Sequence, residues 1–224
     1  MYMKTLRPYV IIFVTQTIDG RISIRGKRTL LSSERDLARM HYLRRNVDAI
    51  MIGARTVIVD DPILIPRPLN NVAKTPIRVV IDGRLSIPLD AKILDTRVST
   101  TIVFTSTRNK NTAKAREIAA RNVLLEYIEP IDDENHLDLC KVLEVLKDKY
   151  KVSRLLVQGG GRLIGELVER KLFDEMIISI TPKIIGKNGV PVIDREIQGI
   201  LDLNLSSVQV DHVSGEVVLV YRAI

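Results

Sequence analysis

Three consecutive glycines, Gly159, Gly160 and Gly161, interrupt the stretch LLVQGGGRLIGELVERKLFDE. Glycine in a regular element costs roughly 0.5–1 kcal/mol relative to alanine, so a triplet needs a reason. The apolar run RLLVQ precedes it and RLIGELVER, with an apolar stripe at helical spacing, follows it. The triplet therefore lies on a strand-to-helix turn. There the first helical N–H groups lack internal partners and sit at the positive end of the helix dipole. Glycines let a pyrophosphate approach those donors. A tight turn with no ligand is the competing explanation, and the triplet alone leaves both open. Neither GxGxxG nor Gly-Lys-Ser/Thr is present, so the common nucleotide fingerprints do not decide it.

Two further stretches have the same setting. GARTVIVDDPILIPRP, residues 53–68, reads as a loop leaving the apolar run DAIMI, at the strand end where open α/β sheets bind ligands. Thr56, Asp60, Asp61 and Arg67 give it a hydroxyl, two carboxylates and a guanidinium. Ordinary turn chemistry, with Asp61-Pro62 as the initiator, accounts for the same residues. No histidine is near and the spacing matches no ligand motif, so no metal is expected. TQTIDGRIS, residues 15–23, ends the first apolar run in like manner, with Asp19-Gly20 as a turn. Three polar, glycine-containing segments are thus expected to converge on one rim of a sheet and form a cleft. Of the three histidines, His41 falls on a helix, where surface or packing roles suit it better than acid–base work; His136 and His212 carry no assignment.

The elements that must position these residues alternate. Short β-branched runs predict strands at 9–15, 48–53, 76–83, 100–106, 122–128 and 153–158, and a strand followed by a loop over 174–186. Helices are predicted at 32–46, where Ser33 precedes Asp36 by three residues, at 110–121, at 137–150 and after Gly161. Leu139, Val142, Leu143 and Leu146 form a stripe that packs on a sheet. The C-terminus reads as a hairpin across Ser214-Gly215. The expected fold is α/β, one domain over 1–224, with a mostly parallel central sheet, helices on both faces and an antiparallel hairpin at one edge.

At 224 residues and 46% hydrophobic, the chain can bury one sizeable core of Ile, Val and Leu; Trp is absent. The single cysteine, Cys140, excludes an intrachain disulfide and a cysteine-built zinc site. The N-terminal apolar run is too short to span a bilayer and lacks a signal-peptide cleavage pattern, so a cytoplasmic, membrane-free protein is expected. The net charge of +7 is either solvated surface or a field for an anionic partner. Scattered basic residues with few aromatics favour small phosphorylated ligands over nucleic acid.

Five stretches in order carry a resemblance: YVIIFVTQTIDGRIS, HYLRRNVDAIMIGARTVIVDDPIL, PIRVVIDGRLSIPL, the glycine stretch and ITPKIIG. Over roughly residues 8–223 the chain resembles the riboflavin-biosynthesis reductases. These are the stand-alone 2,5-diamino-6-ribosylamino-4(3H)-pyrimidinone 5′-phosphate reductases and the C-terminal domain of the bifunctional deaminase–reductases. No His-x-Glu with Pro-Cys-x-x-Cys is present, so the stand-alone form is the nearer likeness. The resemblance implies a dihydrofolate-reductase-like fold, NADPH as cofactor, a homodimer, and reduction of a phosphorylated pyrimidine ribosylamine to its ribitylamino product. It implies cofactor contacts from Thr56, Asp60, Asp82, Gly83, Arg84, Leu85, Gly159, Gly160, Gly161 and Arg162, and substrate contacts from Arg44, Leu64, Arg67 and Gln158. Asp60 is the carboxylate to test for a part in catalysis, and Arg84 or Arg162 is expected to favour the 2′-phosphate of NADPH. Two positions depart from the family: Gln158 where Glu is common, and Gly83 where Ser is frequent. Another reductase of this fold, acting on a deaminated pyrimidine or a pterin, and a non-catalytic nucleotide- or RNA-binding module remain the alternatives.

Overall fold

The computed structural model describes residues 7–68 and 75–224. In chain order the elements are strand β1 (Tyr9–Thr17), strand β2 (Arg21–Ile24), helix α1 (Glu34–Arg45), strand β3 (Ala49–Gly53), helix α2 (Ala54–Asp60) and strand β4 (Ile77–Ile81). Strand β5 (Thr101–Ser106), helix α3 (Ala113–Ala119), strand β6 (Leu124–Ile128), helix α4 (Leu139–Asp148) and strand β7 (Arg154–Val157) follow. Helix α5 (Gly161–Glu169), strands β8 (Glu175–Thr181) and β9 (Gly189–Pro191), and the pair β10 (Leu203–Asp211) and β11 (Glu216–Ala223) complete the chain. The chain falls into two compact units. The first takes the residues up to Tyr9 with Arg44–Leu155; the second takes Val10–Leu43 with Leu156–Ile224.

In the first unit β3, β4, β5 and β6 pair in parallel, each with the next. Every residue of β5 is buried, and Ala49–Ile52 of β3 are fully so. Only a sheet covered on both faces buries successive residues, and this is why these strands read as unbroken apolar runs rather than alternating ones. Helix α4 starts at Asp138, whose carboxylate accepts from the Cys140 N–H, and it buries the predicted Leu139, Val142, Leu143 and Leu146. Arg78, in β4, has no exposed surface. Its guanidinium donates to the carbonyls of Ile63, Asp95 and Ser99, so the charge is hydrogen-bonded where it is buried. Burial lowers its pKa to about 10, with Asp95 opposing the shift.

In the second unit β1 and β8 pair in parallel from Ile11↔Glu175 to Thr17↔Thr181. β8 pairs antiparallel with β11, and β11 with β10, which is the C-terminal hairpin the Ser-Gly pair predicted. Helix α1 begins as Ser33 predicted, with the Asp36 N–H donating to the Ser33 hydroxyl. The Ser33 N–H, however, donates to Glu216 of β11, while Asp36 turns inward to Thr15 and Arg39.

One expectation is corrected here. Residues 53–68 are not a continuous loop: Ala54–Asp60 is helical, so Thr56 and Asp60 stand on a helix and only 61–68 is irregular. Gly53 provides no side-chain cap and Val57, Ile58 and Val59 are β-branched, so no local signal marked this helix. β2 and β9, four and three residues long, were also missed because so short and largely half-buried a pair leaves no alternation to read.

Candidate functional site

In the first unit, candidate residues cluster where strands end. α2 follows β3 directly and carries Thr56 and, as its last residue, Asp60, both half-buried. Asp61 takes the left-handed conformation that ends the helix, φ 41, its N–H donating to the Val57 carbonyl. Its carboxylate accepts from the Lys92 N–H at 2.8 Å and pairs with the Lys92 ammonium at 2.9 Å. Of the adjacent carboxylates, Asp61 is therefore committed to architecture.

Beyond it the chain places Leu64 in the core and brings Ile65 over the end of α1. The Arg44 guanidinium donates to the Ile65 carbonyl at 2.9 Å, and Arg45 donates to the Arg67 carbonyl. Burial and then the charge of Arg67 lower the Arg44 pKa to about 10. Two guanidiniums close enough to perturb one another form a place where an anion is stabilising.

The Asp82–Leu85 turn follows β4. The Asp82 carboxylate is buried and accepts from the Ser86 hydroxyl and the Ile87 N–H, both at 2.9 Å. Leu85 is buried in the left-handed region, φ 52. What this turn presents outward is therefore Arg84, which donates to the Glu134 carbonyl at 2.9 Å and pairs with its carboxylate at 3.1 Å. Gly83 has its own reason: a Cβ there would lie 1.8 Å from the Asn135 carbonyl oxygen. The departure from Ser is thus a packing requirement of this chain.

Sequence reasoning missed the turn after β5. Asn109 donates to the Gly83 carbonyl at 2.9 Å, and Arg108 donates to the Asp133 carbonyl and the Asn135 side chain, both at 3.3 Å. Arg108 stands two residues beyond β5 much as Arg84 stands three beyond β4, a parallel the sequence does contain.

The glycine turn lies in the second unit. Gly159 has φ 112, a conformation that favours glycine, and its peptide with Gly160 is cis. Gly160 opens α5 with no side-chain cap. At Gly161 a Cβ would lie 2.3 Å from the Pro191 carbonyl oxygen, so this glycine permits close packing, reinforced by the Asp194 N–H donating to its carbonyl at 3.1 Å. Gln158 is half-buried just before the turn, and Arg162 is exposed, 3.8 Å from Asp194. Asp19, in the turn after β1, accepts from the Thr17 hydroxyl and from the N–H groups of Gly186 and Ile185, which hold its pKa at about 2 against burial. That carboxylate ties the β1 turn to the segment after β8.

Among the described residues no three His, Cys, Asp or Glu side chains are grouped to hold a metal, and no helix is long and apolar enough to cross a membrane. The structure brings Arg44 and Arg67 together, sets Thr56 and Asp60 on one helix, and keeps Gly159, Gly160, Gly161 and Arg162 in one turn. It commits the Asp82 and Leu85 side chains to the interior.

Comparison with known proteins adds to this geometry. Residues 8–219 match the RibD C-terminal domain family. The riboflavin biosynthesis protein RibD of Aquifex aeolicus is 30% identical over 223 residues, which cover 99% of this chain and 59% of that protein. The chain thus spans about three fifths of that relative. The 2,5-diamino-6-ribosylamino-4(3H)-pyrimidinone 5′-phosphate reductase of Archaeoglobus fulgidus is 34% identical over 197 residues, 84% of this chain and 86% of that protein. Among solved structures, Acinetobacter baumannii RibD, form 1, shares 25% identity and superimposes with a TM-score of 0.81 over 99% of this chain and 60% of that one.

Proposed function

Because the chain belongs to the RibD C-terminal domain family, we propose that it is an NADPH-dependent reductase of riboflavin biosynthesis. Its substrate is 2,5-diamino-6-ribosylamino-4(3H)-pyrimidinone 5′-phosphate, whose ribosylamino side chain it converts to a ribitylamino one. The observation that carries this reading is the Arg44 guanidinium, held by the Ile65 carbonyl at 2.9 Å beside the segment that carries Arg67, whose charge adds to burial in lowering the Arg44 pKa. A sugar 5′-phosphate relieves that repulsion, and guanidinium forks suit phosphate oxygens. The Ile65 carbonyl holds Arg44 in place, so little side-chain freedom is lost on binding.

The residues present also fit a dinucleotide. The N-terminus of α5 is uncapped by any side chain and is entered through Gly159 and Gly160, which suits a diphosphate. In the first unit Thr56 and Asp60 on α2 and Arg84 with the backbone of its turn, and in the second Arg162 at the start of α5, are each assigned to the cofactor. When bound, NADPH supplies the hydride that the open-chain imine of the ribosylamine takes up at C1′, while a proton goes to the nitrogen. Gln158 offers an amide to the substrate, able to hydrogen-bond but not to carry charge. Leu64 presents a buried apolar wall. The exposed strand β10 supports a homodimer, since Leu205, Val208 and Val210 are each more than half exposed on a sheet-edge strand.

The test follows NADPH absorbance with the purified chain and the diamino ribosylamine phosphate; substrate-dependent oxidation is expected. No oxidation with this substrate, but turnover with its deaminated counterpart or a pterin, would move the assignment elsewhere in the fold. Arg44→Ala is expected to raise KM for the phosphorylated substrate about tenfold or more, with a much smaller effect on KM for NADPH.

A further inference from the structure

In the first unit the turns after β4 and β5, neighbours in register from Arg78↔Thr101 to Ile81↔Phe104, each present one arginine outward. Arg84 and Arg108 retain 61% and 48% of their side-chain exposure, so both can still reach solvent ligands. They converge on consecutive residues of one acidic loop: Arg84 on Glu134, Arg108 on Asp133 and Asn135. That loop is a built object. Pro130 and Leu137 form a bridge at its base, the Ile131 N–H donates to the His136 carbonyl at 2.9 Å, and Asn135 holds a left-handed φ of 63. Its Asn135 carbonyl seats directly on Gly83, where no side chain fits.

We propose that Arg84 and Arg108 together form the recognition site for the adenosine 2′-phosphate of the dinucleotide, and that Glu134 and Asp133 act there as a built-in, displaceable counter-anion. This rests on the reductase reading above. It names Arg108 as a specificity-determining residue and replaces a single-arginine recognition with a pair. The chemistry is exchange. The Glu134 carboxylate occupies the Arg84 fork at 3.1 Å, while the Asp133 carboxylate sits 3.5 Å from Arg108. A phosphate dianion offers three acceptor oxygens to both forks at once, where each carboxylate serves one. Exposed ion pairs are weak enough to be traded for it. The loop then screens the arginines from weaker anions and leaves NADH, which lacks the 2′-phosphate, with no gain from displacing the acids.

Calorimetric titration of the purified chain with 2′,5′-ADP and with 5′-AMP tests this without any turnover. Wild type is expected to prefer 2′,5′-ADP. Arg108→Ala should lower 2′,5′-ADP affinity about tenfold and leave 5′-AMP within twofold. The double variant Asp133→Asn/Glu134→Gln should raise 2′,5′-ADP affinity several-fold and again leave 5′-AMP unchanged. If both nucleotides bind but Arg108→Ala changes neither, or changes both alike, the proposal is overturned while the reductase reading stands. If neither nucleotide binds wild type, the NADPH reading itself falls, and this proposal with it.

Discussion

The Asp36 carboxylate has no exposed surface, yet it is not orphaned: Thr15 donates to it at 2.6 Å and Arg39 at 3.0 Å. Ser32 in turn donates to Thr15, so the end of β1, the start of α1 and the segment before it share one polar network. A buried charge held by two donors is costly to unmake, because removal strands both partners. Asp36→Ala is therefore expected to cost about 3 kcal/mol of stability, read from denaturant midpoints at unchanged slope. A double-mutant cycle with Arg39→Met checks whether the loss comes from that pair; additive effects would refute the coupling.

Gly83 shows how one position can determine the placement of an element. Its carbonyl receives the Asn109 amide and the Ser106 N–H, and its Cα is covered by the Asn135 carbonyl, so three chain segments meet on one residue. A methyl group cannot share space with a backbone oxygen 1.8 Å away; the 130–137 loop or the turn must move. Gly83→Ala is expected to destabilise by about 1–3 kcal/mol. Hydrogen exchange should then show lost protection at Ile131, whose N–H bonds across the loop. Unchanged exchange there would mean the loop does not depend on this contact. Helix α2 is the opposite case: it has no side-chain cap and four β-branched residues in a row, Thr56 to Val59, so it owes its formation to packing beside β3, with Val57 buried, rather than to propensity.

For the molecule as a whole, the +7 charge and the exposed β10 strand bear on association. β10 pairs with β11 and is exposed along nearly all its length, with Val208 and Val210 on one face. An edge strand like this one, uncharged from Leu203 to Val210, invites pairing with another chain. Sedimentation is expected to show a dimer for wild type and a monomer for Val208→Lys/Val210→Lys. A double-lysine variant that sediments as wild type would place any dimer contact elsewhere. The positive field also predicts that affinity for phosphorylated ligands falls as salt rises.

The strands and most helices were legible from the sequence because their causes are local. β-branched runs, the Ser33 cap, the α4 stripe and the Ser-Gly hairpin turn each act within a few residues, and each has its counterpart in the structure. The glycine triplet was legible as a strand-to-helix turn, but its three residues were given one reason where the structure supplies several: φ 112 at Gly159, an open helix start at Gly160 and the Pro191 contact at Gly161. Helix α2, the commitment of Asp61 to Lys92, the crowding of Arg44 by Arg67 and the convergence of Arg84 and Arg108 on one acidic loop were decided by the tertiary structure alone. Each pairs groups some 20 to 50 positions apart or follows from packing, and no pattern within a helical turn or a strand encodes which distant partner a side chain will meet.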